Sequence, residues 1–163
     1  MASDEQGTLS VLKSRIDILG QNIDDNSGRI CNTAGDAVLA EFPSVSAAVR
    51  CAVEAQKQIA GLNLSLPEDR RLAVRIGINL GEVMAEDDGQ VYGTGVNVAA
   101  RLQALAEPGG IAISGRAREQ VDGAIPVGFV SMGHHRVKNI PNPVHLGAVQ
   151  EELRKARASI SKE

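Results

Sequence analysis

The chain of 163 residues has very few aromatic side chains, no tryptophan and only two cysteines. Its aromatic residues, Phe42, Tyr92 and Phe129, make up 2% of the sequence, which is too few for a surface that stacks nucleic-acid bases. Cys31 and Cys51 lack CxxC spacing and clustered histidines. Their arrangement argues against a disulfide framework and a structural zinc site, and it favours the reducing cytoplasm.

The sequence also lacks an excess of positive charge and any long apolar run. Lys and Arg number 17 against 20 Asp and Glu, and the net charge of −3 disfavours general binding to nucleic acid. No apolar stretch reaches the roughly 18 to 20 residues that cross a bilayer, and the N-terminus has no signal-peptide pattern. We therefore predict one domain, with no membrane segment and no nucleic-acid partner for this chain.

Apolar residues, which make up 43% of the chain, follow helical and strand periods in turn. The spacing predicts helices over 4–25, 45–61, 96–106 and 116–121. It predicts strands over 29–33, 37–42, 72–80, 83–85, 111–114, 127–132 and 144–149. This order is typical of an α+β sandwich with helices packed on a mostly antiparallel sheet. We expect the domain to span 1–149 and the charged residues 150–163 to form a C-terminal tail or linker.

Two short motifs could bind phosphate or metal, but each has an ordinary structural interpretation. Gly35 and Asp36 stand at the tip of the predicted first hairpin, where Gly-Asp is common turn chemistry and an exposed carboxylate can also ligate magnesium. Lys138 lies in a polar loop between two late strands, and a basic run there is usually solvated. The residues alone leave these alternatives open.

The third predicted helix carries a polar stripe on an otherwise apolar segment. Asn97 and Arg101 lie four positions apart and therefore share one face. They could be a satisfied amide and a surface arginine, or a fork that reaches anionic oxygen. The turn formed by Tyr92, Gly93 and Gly95 precedes this helix, and a helix N-terminus favours phosphate. Its spacing matches neither the Walker loop nor the dinucleotide fingerprint.

Three stretches together resemble the catalytic domain of class III nucleotidyl cyclases. They are Gly35-Asp36 with the following AVLAEF, RIGINLGEV at 75–83, and VYGTGVNVAARLQALAEPGGIAIS at 91–114. The similarity extends from about Asp4 to Val149. It implies a ferredoxin-like sandwich that dimerises head to tail with composite active sites. The implied reaction converts ATP to cyclic AMP and pyrophosphate, with GTP and cyclic GMP less favoured.

The resemblance also implies roles for individual residues. Asp36 matches one of two aspartates that hold two Mg²⁺ or Mn²⁺ ions at the triphosphate. Asn97 and Arg101, supplied by the partner subunit, match the pair that orients the ribose and stabilises the pentavalent phosphorus. Lys138 matches a late-loop lysine that contacts the phosphates. The family's first aspartate lies on a strand ahead of the first helix, and Met1 stands only a few residues before that helix. We therefore expect poor turnover by the chain as given, and rescue by a preceding strand that bears an aspartate.

The expected substrate-binding residues are Asn32, Gly35 and Gln90. Asn32 and Gln90 stand where the family reads adenine with a lysine and an aspartate. A carboxamide can present either oxygen or nitrogen, so we predict that ATP and GTP compete within roughly tenfold of each other. The alternative function is that of a catalytically degenerate homologue, which dimerises or binds nucleotide as a regulatory module.

Overall fold

A computed structural model describes residues 2–34, 37–123, 125, 127–135 and 144–151. Its helices are α1 (Ala2–Asp25), α2 (Val45–Leu64), α3 (Thr94–Leu105) and α4 (Gly115–Arg118). Its strands are β1 (Arg29–Ala34), β2 (Ala37–Glu41), β3 (Ile76–Ile78), β4 (Met84–Ala85), β5 (Val91–Tyr92), β6 (Ile111–Ser114), β7 (Val127–His135) and β8 (Val144–Glu151). Gly35, Asp36, Lys138 and most of the charged tail lie outside the described residues.

The largest sheet has the strand order β3-β6-β8-β7. β3 runs parallel to β6, whereas β6, β8 and β7 pair antiparallel. The mostly antiparallel sheet and the helices that pack on it confirm the predicted α+β class. Within the described residues, no helix has the length and apolar character that crossing a membrane requires.

The hairpin of β1 and β2 forms a separate two-stranded sheet. Its antiparallel register runs from Arg29 opposite Glu41 to Ala34 opposite Ala37, with an irregularity next to Cys31. Among the described strands, none pairs with the second edge of β1, β2, β3 or β7. The backbone hydrogen-bonding groups along these edges therefore have no strand partner in the described part of the chain.

Helices cover both faces of β6. Ile111 and Ile113 pack in one core cluster with residues of α2, whereas Ala112 packs in another with Val98 and Leu102 of α3. Successive side chains of a strand point to opposite faces, so α2 and α3 lie on opposite sides of the sheet. The small Ala112 side chain lets α3 approach closely.

The predicted strand over 72–80 is wrong in length, because only Ile76–Ile78 joins a ladder. Side chains of α2 bind the backbone just before it. Asn63 accepts from the Leu72 N–H at 3.2 Å and donates to the Leu72 carbonyl at 3.1 Å. Gln56, which is buried, donates to the Val74 carbonyl at 2.8 Å. These bonds satisfy backbone groups that a longer strand would have paired.

Arg15 is a buried cation that joins α1 to the end of α2. Its side chain is 2% exposed, and its Nη2 donates to Asn63 Oδ1 at 2.6 Å. No carboxylate among the described residues forms a salt bridge with it, and its Nε has no hydrogen-bond partner there. Burial lowers the pKa of Arg15. The guanidinium therefore depends on one neutral amide for most of its compensation.

Asn63→Ala is expected to destabilise the protein by about 2 to 4 kcal/mol, because it leaves a buried charge and two backbone groups unpaired. Arg15→Met removes the charge at similar volume and is expected to change stability by less than about 1 kcal/mol. Urea denaturation measures both variants. In the Arg15→Met background, Asn63→Ala should cost less than it does alone. An equal cost in both backgrounds would contradict the importance of this contact.

Candidate active site

The N-terminus of α3 rests on the loop that follows β3, backbone against backbone. A Cβ added to Gly95 would lie 2.7 Å from the Glu82 carbonyl oxygen, and one added to Gly81 would lie 2.9 Å from the Gly95 Cα. Gly93 has φ 125°, a left-handed conformation that side chains disfavour. Glycine is therefore required at the turn and at both contacting positions.

Hydrogen bonds fix this contact. The Gly95 N–H donates to the Glu82 carbonyl at 3.0 Å, and Asn79 Nδ2 donates to the Gly95 carbonyl at 3.0 Å. The Asn97 N–H donates to the Gly93 carbonyl at 3.1 Å, within the first helical turn. The Gly95 N–H at the start of α3 is thus bound by the Glu82 carbonyl. The hydrogen bonds at the N-terminus of α3 mainly fix the position of the helix.

α3 also touches the main sheet without an intervening side chain. A Cβ on Gly77 of β3 would lie 2.4 Å from the Ala99 carbonyl oxygen and 2.5 Å from the Gln103 backbone nitrogen. Its strand neighbours Ile76 and Ile78 belong to the cluster on the other face. Gly77 therefore sets the distance between the helix and the sheet.

Asn97 and Arg101 occupy the solvent-facing side of α3, one turn apart, as their spacing predicts. The opposite side of the helix is anchored by buried Val98 and Leu102. No carboxylate in the described part of the chain forms a salt bridge with Arg101. An amide and a guanidinium are thus presented together on a fixed helix, available to a ligand or a second molecule.

Exposed apolar side chains lie beside the start of α3. Met84 is 70% exposed and pairs across the β4–β5 ladder with Tyr92, which is 44% exposed. Leu80 and Val83 are also exposed, in the loop on which Gly93 and Gly95 rest. We call Leu80, Val83, Met84 and Tyr92 the hairpin patch. Exposed apolar groups close together are typical of a contact surface.

Asn32 of β1 binds the backbone of β5. Its Nδ2 donates to the Val91 carbonyl at 3.2 Å, and its Oδ1 accepts from the Val91 N–H at 3.3 Å. Arg29 makes a second connection, with Nη1 donating to the Gly89 carbonyl at 3.0 Å while Nε and Nη2 bind Glu41 at 2.8 Å. The first hairpin is therefore tied to the second by two side chains.

Gln90 lies between these two connections, and its side chain also has a bound partner. Its Oε1 accepts from the Tyr92 hydroxyl at 2.8 Å. The Gln90 N–H donates to Asp88 Oδ1 at 3.0 Å, and its carbonyl accepts from the Glu86 N–H at 2.8 Å. The Asn32 amide thus has a defined orientation, because it binds both the N–H and the carbonyl of Val91. The Tyr92 hydroxyl can donate or accept and fits either orientation of the Gln90 amide, so weak base selection stays a prediction.

The pKa values of Arg29, Cys31 and Cys51 indicate a permanent cation and two unreactive thiols. The hydrogen bond to Glu41 raises the pKa of Arg29, which stays charged. Burial raises the pKa of Cys31, and burial with the nearby Asp25 raises the pKa of Cys51 to about 11. Both cysteines are free and protonated at neutral pH, so neither is an activated nucleophile.

The structure brings Asn32 and Gln90 together around Val91 and places Asn97 and Arg101 on the helix that follows directly. Gly35, Asp36 and Lys138 are outside the described residues. Within those residues no three His, Cys, Asp or Glu side chains form a metal cluster.

Sequence reasoning missed the hydroxyl of Tyr92, which binds the Gln90 side chain. The signal was its position two residues after Gln90 in a strand-like segment, which places both side chains on one face.

Comparison with known proteins identifies the family of the chain. The family described as the adenylate and guanylate cyclase catalytic domain matches residues 2–144. A Rhizobium meliloti (strain 1021) protein named "Putative adenylate cyclase 3" is 46% identical over 147 residues, 90% of this chain and 25% of that protein. The chain therefore spans about a quarter of that relative's length.

Solved structures agree with the sequence match. The adenylate/guanylate cyclase/hydrolase of Silicibacter pomeroyi has a TM-score of 0.78 at 36% identity, covering 85% of this chain and 81% of that one. The adenylyl cyclase CyaB of P. aeruginosa has a TM-score of 0.72 at 21% identity, covering 88% and 82%. The similarity to CyaB, at 21% identity, supports the fold alone.

Proposed function

Because the chain belongs to the adenylate and guanylate cyclase catalytic domain family, a family of phosphorus–oxygen lyases, we propose that it converts ATP to cyclic AMP and pyrophosphate, with GTP as the poorer substrate. The observation that carries the proposal is the presentation of Asn97 and Arg101. Both are exposed on α3, a helix whose position is fixed by glycine contacts and which directly follows β5, the strand of Val91 and Tyr92. The two cysteines are free, which fits a cytoplasmic site.

In the proposed reaction, the ribose 3′ oxygen bonds to the α-phosphorus, the bond from that phosphorus to the bridging oxygen breaks, and pyrophosphate leaves. Asn97 orients the ribose, and Arg101 donates to the phosphoryl oxygens as negative charge builds on them. Lys138 contacts the leaving phosphates. Asn32 and Gln90 form the wall next to the base, and Gly35 allows close approach of the hairpin backbone.

Asp36 is the proposed metal ligand. Its carboxylate is the donor type that Mg²⁺ and Mn²⁺ prefer, and it follows a glycine at the junction of β1 and β2. When bound, the metal would favour loss of the 3′ hydroxyl proton and offset the charge of the triphosphate. The 3′ hydroxyl proton passes to water.

We further propose a two-fold dimer with two composite sites, in which Asp36 of one protomer faces Asn97 and Arg101 of the other. The hairpin patch supports a partner at this place, since it leaves four large apolar side chains exposed beside α3. Ala100 and Ala104 are also exposed on α3, and such small residues let a second backbone approach.

The composite site predicts rescue between two inactive variants. Asp36→Ala and Arg101→Ala should each lose activity, whereas an equal mixture should regain about a quarter of the wild-type rate. Half of the dimers in a random mixture are mixed, and each mixed dimer has one intact site of two. Cyclic AMP formation is measured with Mg²⁺ and then with Mn²⁺. An inactive mixture whose dimers demonstrably exchange would contradict the arrangement.

A regulatory module without turnover is the second candidate. It is favoured by the hydrogen bonds that occupy both atoms of the Asn32 amide, at a position where the family has a charged base-reading residue. This alternative predicts that the protein binds ATP and dimerises while forming no cyclic nucleotide with either metal. Steady cyclic AMP formation that is lost in Arg101→Ala would rule it out.

A further inference from the structure

We propose that residues 152–163, the charged segment that follows β8, dock in a groove beside α1 and α2 of the same chain. The groove has a volume of about 500 Å³. It is lined by the C-terminal end of α1, the outer face of α2 and residues that lead into β7. None of the residues of the candidate active site lines it. The groove is therefore a second binding surface of the domain.

The register of β7 and β8 brings the chain to this groove. The two strands are antiparallel, and Glu151, the last residue of β8, lies opposite Val127, the first residue of β7. A chain that continues in the direction of β8 passes the start of β7 toward Ile125. Val127 and Ile125 both line the groove. Residues 152–163 thus need no long connection to reach it.

The groove carries charges of both signs that have no counter-ion among the described residues. Arg50, Glu54 and Lys57 of α2 line it with Asp25 of α1, and all four are exposed. None of them forms a salt bridge in the described part of the chain. The two carboxylates accept hydrogen bonds from neutral glutamine amides, at 2.9 and 3.2 Å. Each charge can therefore still pair with a charge from another segment.

The charges of the groove follow one another along α2. The Asp122 N–H donates to Ser46 Oγ at 2.9 Å, so the residues that lead into β7 reach α2 near Ser46. Arg50 lies one turn beyond Ser46, and Glu54 follows one turn later on the same face. A segment that enters from the β7 side meets a cation first and a carboxylate next.

The sequence of the segment complements this order of charges. Glu152 is its first residue, and Arg154 and Lys155 follow closely. A contact of Glu152 with Arg50 would bring the two cations of the segment toward Glu54. The charges of the segment and of the groove then alternate in opposite sense along their common length.

Apolar side chains add to the complementarity. Val53 of α2 lines the groove with Ile125 and Val127, and all three are only half buried. The two large apolar residues of the segment, Leu153 and Ile160, are seven positions apart in the sequence. That spacing is typical of residues on one face of a helix. Docking would remove apolar groups of both surfaces from water.

The direct connection to β8 lets weak contacts keep the segment docked. A short connection gives the segment an effective concentration at the groove on the order of millimolar. Contacts that would give a free peptide a Kd of about 0.1 mM then keep about nine tenths of the molecules docked. Docking of this strength is expected to slow an attack on the segment by about tenfold.

Trypsin cleavage of the full chain tests the proposal, because the segment contains Arg154, Lys155 and Arg157. Cleavage after Arg157 is followed by mass spectrometry and compared with cleavage of a free peptide of residues 150–163. We expect the full chain to be cut there about tenfold more slowly, since trypsin acts on the undocked segment. The ratio should be the same at every protein concentration, because the contact lies within one chain. No nucleotide is present, so the result is independent of the proposed function.

Four variants identify the groove as the cause of the protection. Glu54→Lys places a cation against Arg154 and Lys155 and should bring the cleavage rate within about threefold of the free peptide. Adding Lys155→Glu exchanges the charges and should restore most of the protection, relative to a peptide of matching sequence. Leu153→Asp should remove the protection without changing the folded domain. Asp69→Lys makes the same kind of charge change in the exposed turn between α2 and β3, and should leave the protection unchanged.

Three outcomes would overturn docking within one chain. The first is cleavage of the full chain at the rate of the free peptide. The second is protection that persists in both Glu54→Lys and Leu153→Asp, or that Asp69→Lys removes as fully as Glu54→Lys does. The third is protection that rises with protein concentration, which would assign the segment to the groove of a second copy. Urea denaturation shows that each variant is folded before it is assayed.

Discussion

In a form of the protein that turns over ATP, Arg101→Ala is expected to lower kcat for cyclic AMP formation by about a hundredfold or more and to change KM for ATP little. The effect falls on kcat because the negative charge that Arg101 would stabilise develops during the reaction. The guanidinium lies on an exposed helix face without a salt bridge in the described part of the chain, and its donors are most useful when charge builds on the transferring phosphorus. An interaction made mainly in the transition state affects kcat. Steady-state kinetics over a range of ATP concentrations measures both constants.

The matched control is Arg116→Ala, which removes an exposed arginine from α4. It should leave kcat and KM near the wild-type values. A large rise in KM for Arg101→Ala with kcat unchanged would instead assign Arg101 to ground-state binding of the phosphates. Equal losses in Arg101→Ala and Arg116→Ala would indicate a general effect of charge.

Gly77→Ala is expected to destabilise the protein by about 3 kcal/mol and to lower kcat in the folded fraction. The new methyl group would overlap the backbone of α3 at Ala99 and Gln103, at 2.4 and 2.5 Å. Backbone cannot rotate aside as a side chain can, so the helix must move away from β3. Asn97 and Arg101 move with it. Denaturant titration gives the stability, and kinetics at low temperature gives kcat.

Gly61→Ala is the matched control for this substitution. Gly61 lies in α2 with nothing within 4 Å of an added Cβ. Alanine there should stabilise the protein by about 0.5 to 1 kcal/mol, because it restricts the unfolded chain. If Gly77→Ala were as stable and as active as Gly61→Ala, the direct contact of α3 with the sheet would be refuted.

The periodicity of apolar residues predicted the helices well. It predicted too long a strand where side chains distant in sequence bind the backbone. The helices over 4–25 and 96–106 are confirmed as α1 and α3, with ends shifted by two residues or fewer. The strand over 72–80 is shorter because Asn63 and Gln56 bind its first residues. Such long-range bonds have no periodic signal in the sequence.

The candidate site shows the same difference between local features, which the sequence predicted, and long-range contacts, which it did not. Helical spacing alone predicted that Asn97 and Arg101 share a face, and the structure confirms it. The contact of Gly77 with α3 and the bond between Asn32 and Val91 join residues far apart in sequence. A glycine within a predicted strand hints at a close approach, but it does not identify the partner. The catalytic and binding roles of all the site residues, those of Asp36, Gly35 and Lys138 included, stay predictions.

In the proposed dimer, the hydrogen bonds of the Asn32 amide would link one active site to the other. Asn32 lies in β1, which leads to Asp36 in the sequence, and it binds Val91, the residue after Gln90. In the proposed dimer, Asp36 and Gln90 of one protomer serve different sites. If metal and triphosphate binding at one site tilted the hairpin, the two hydrogen bonds of Asn32 would carry that displacement to the base wall of the other site. Coupling between the paired sites would then need no moving domain.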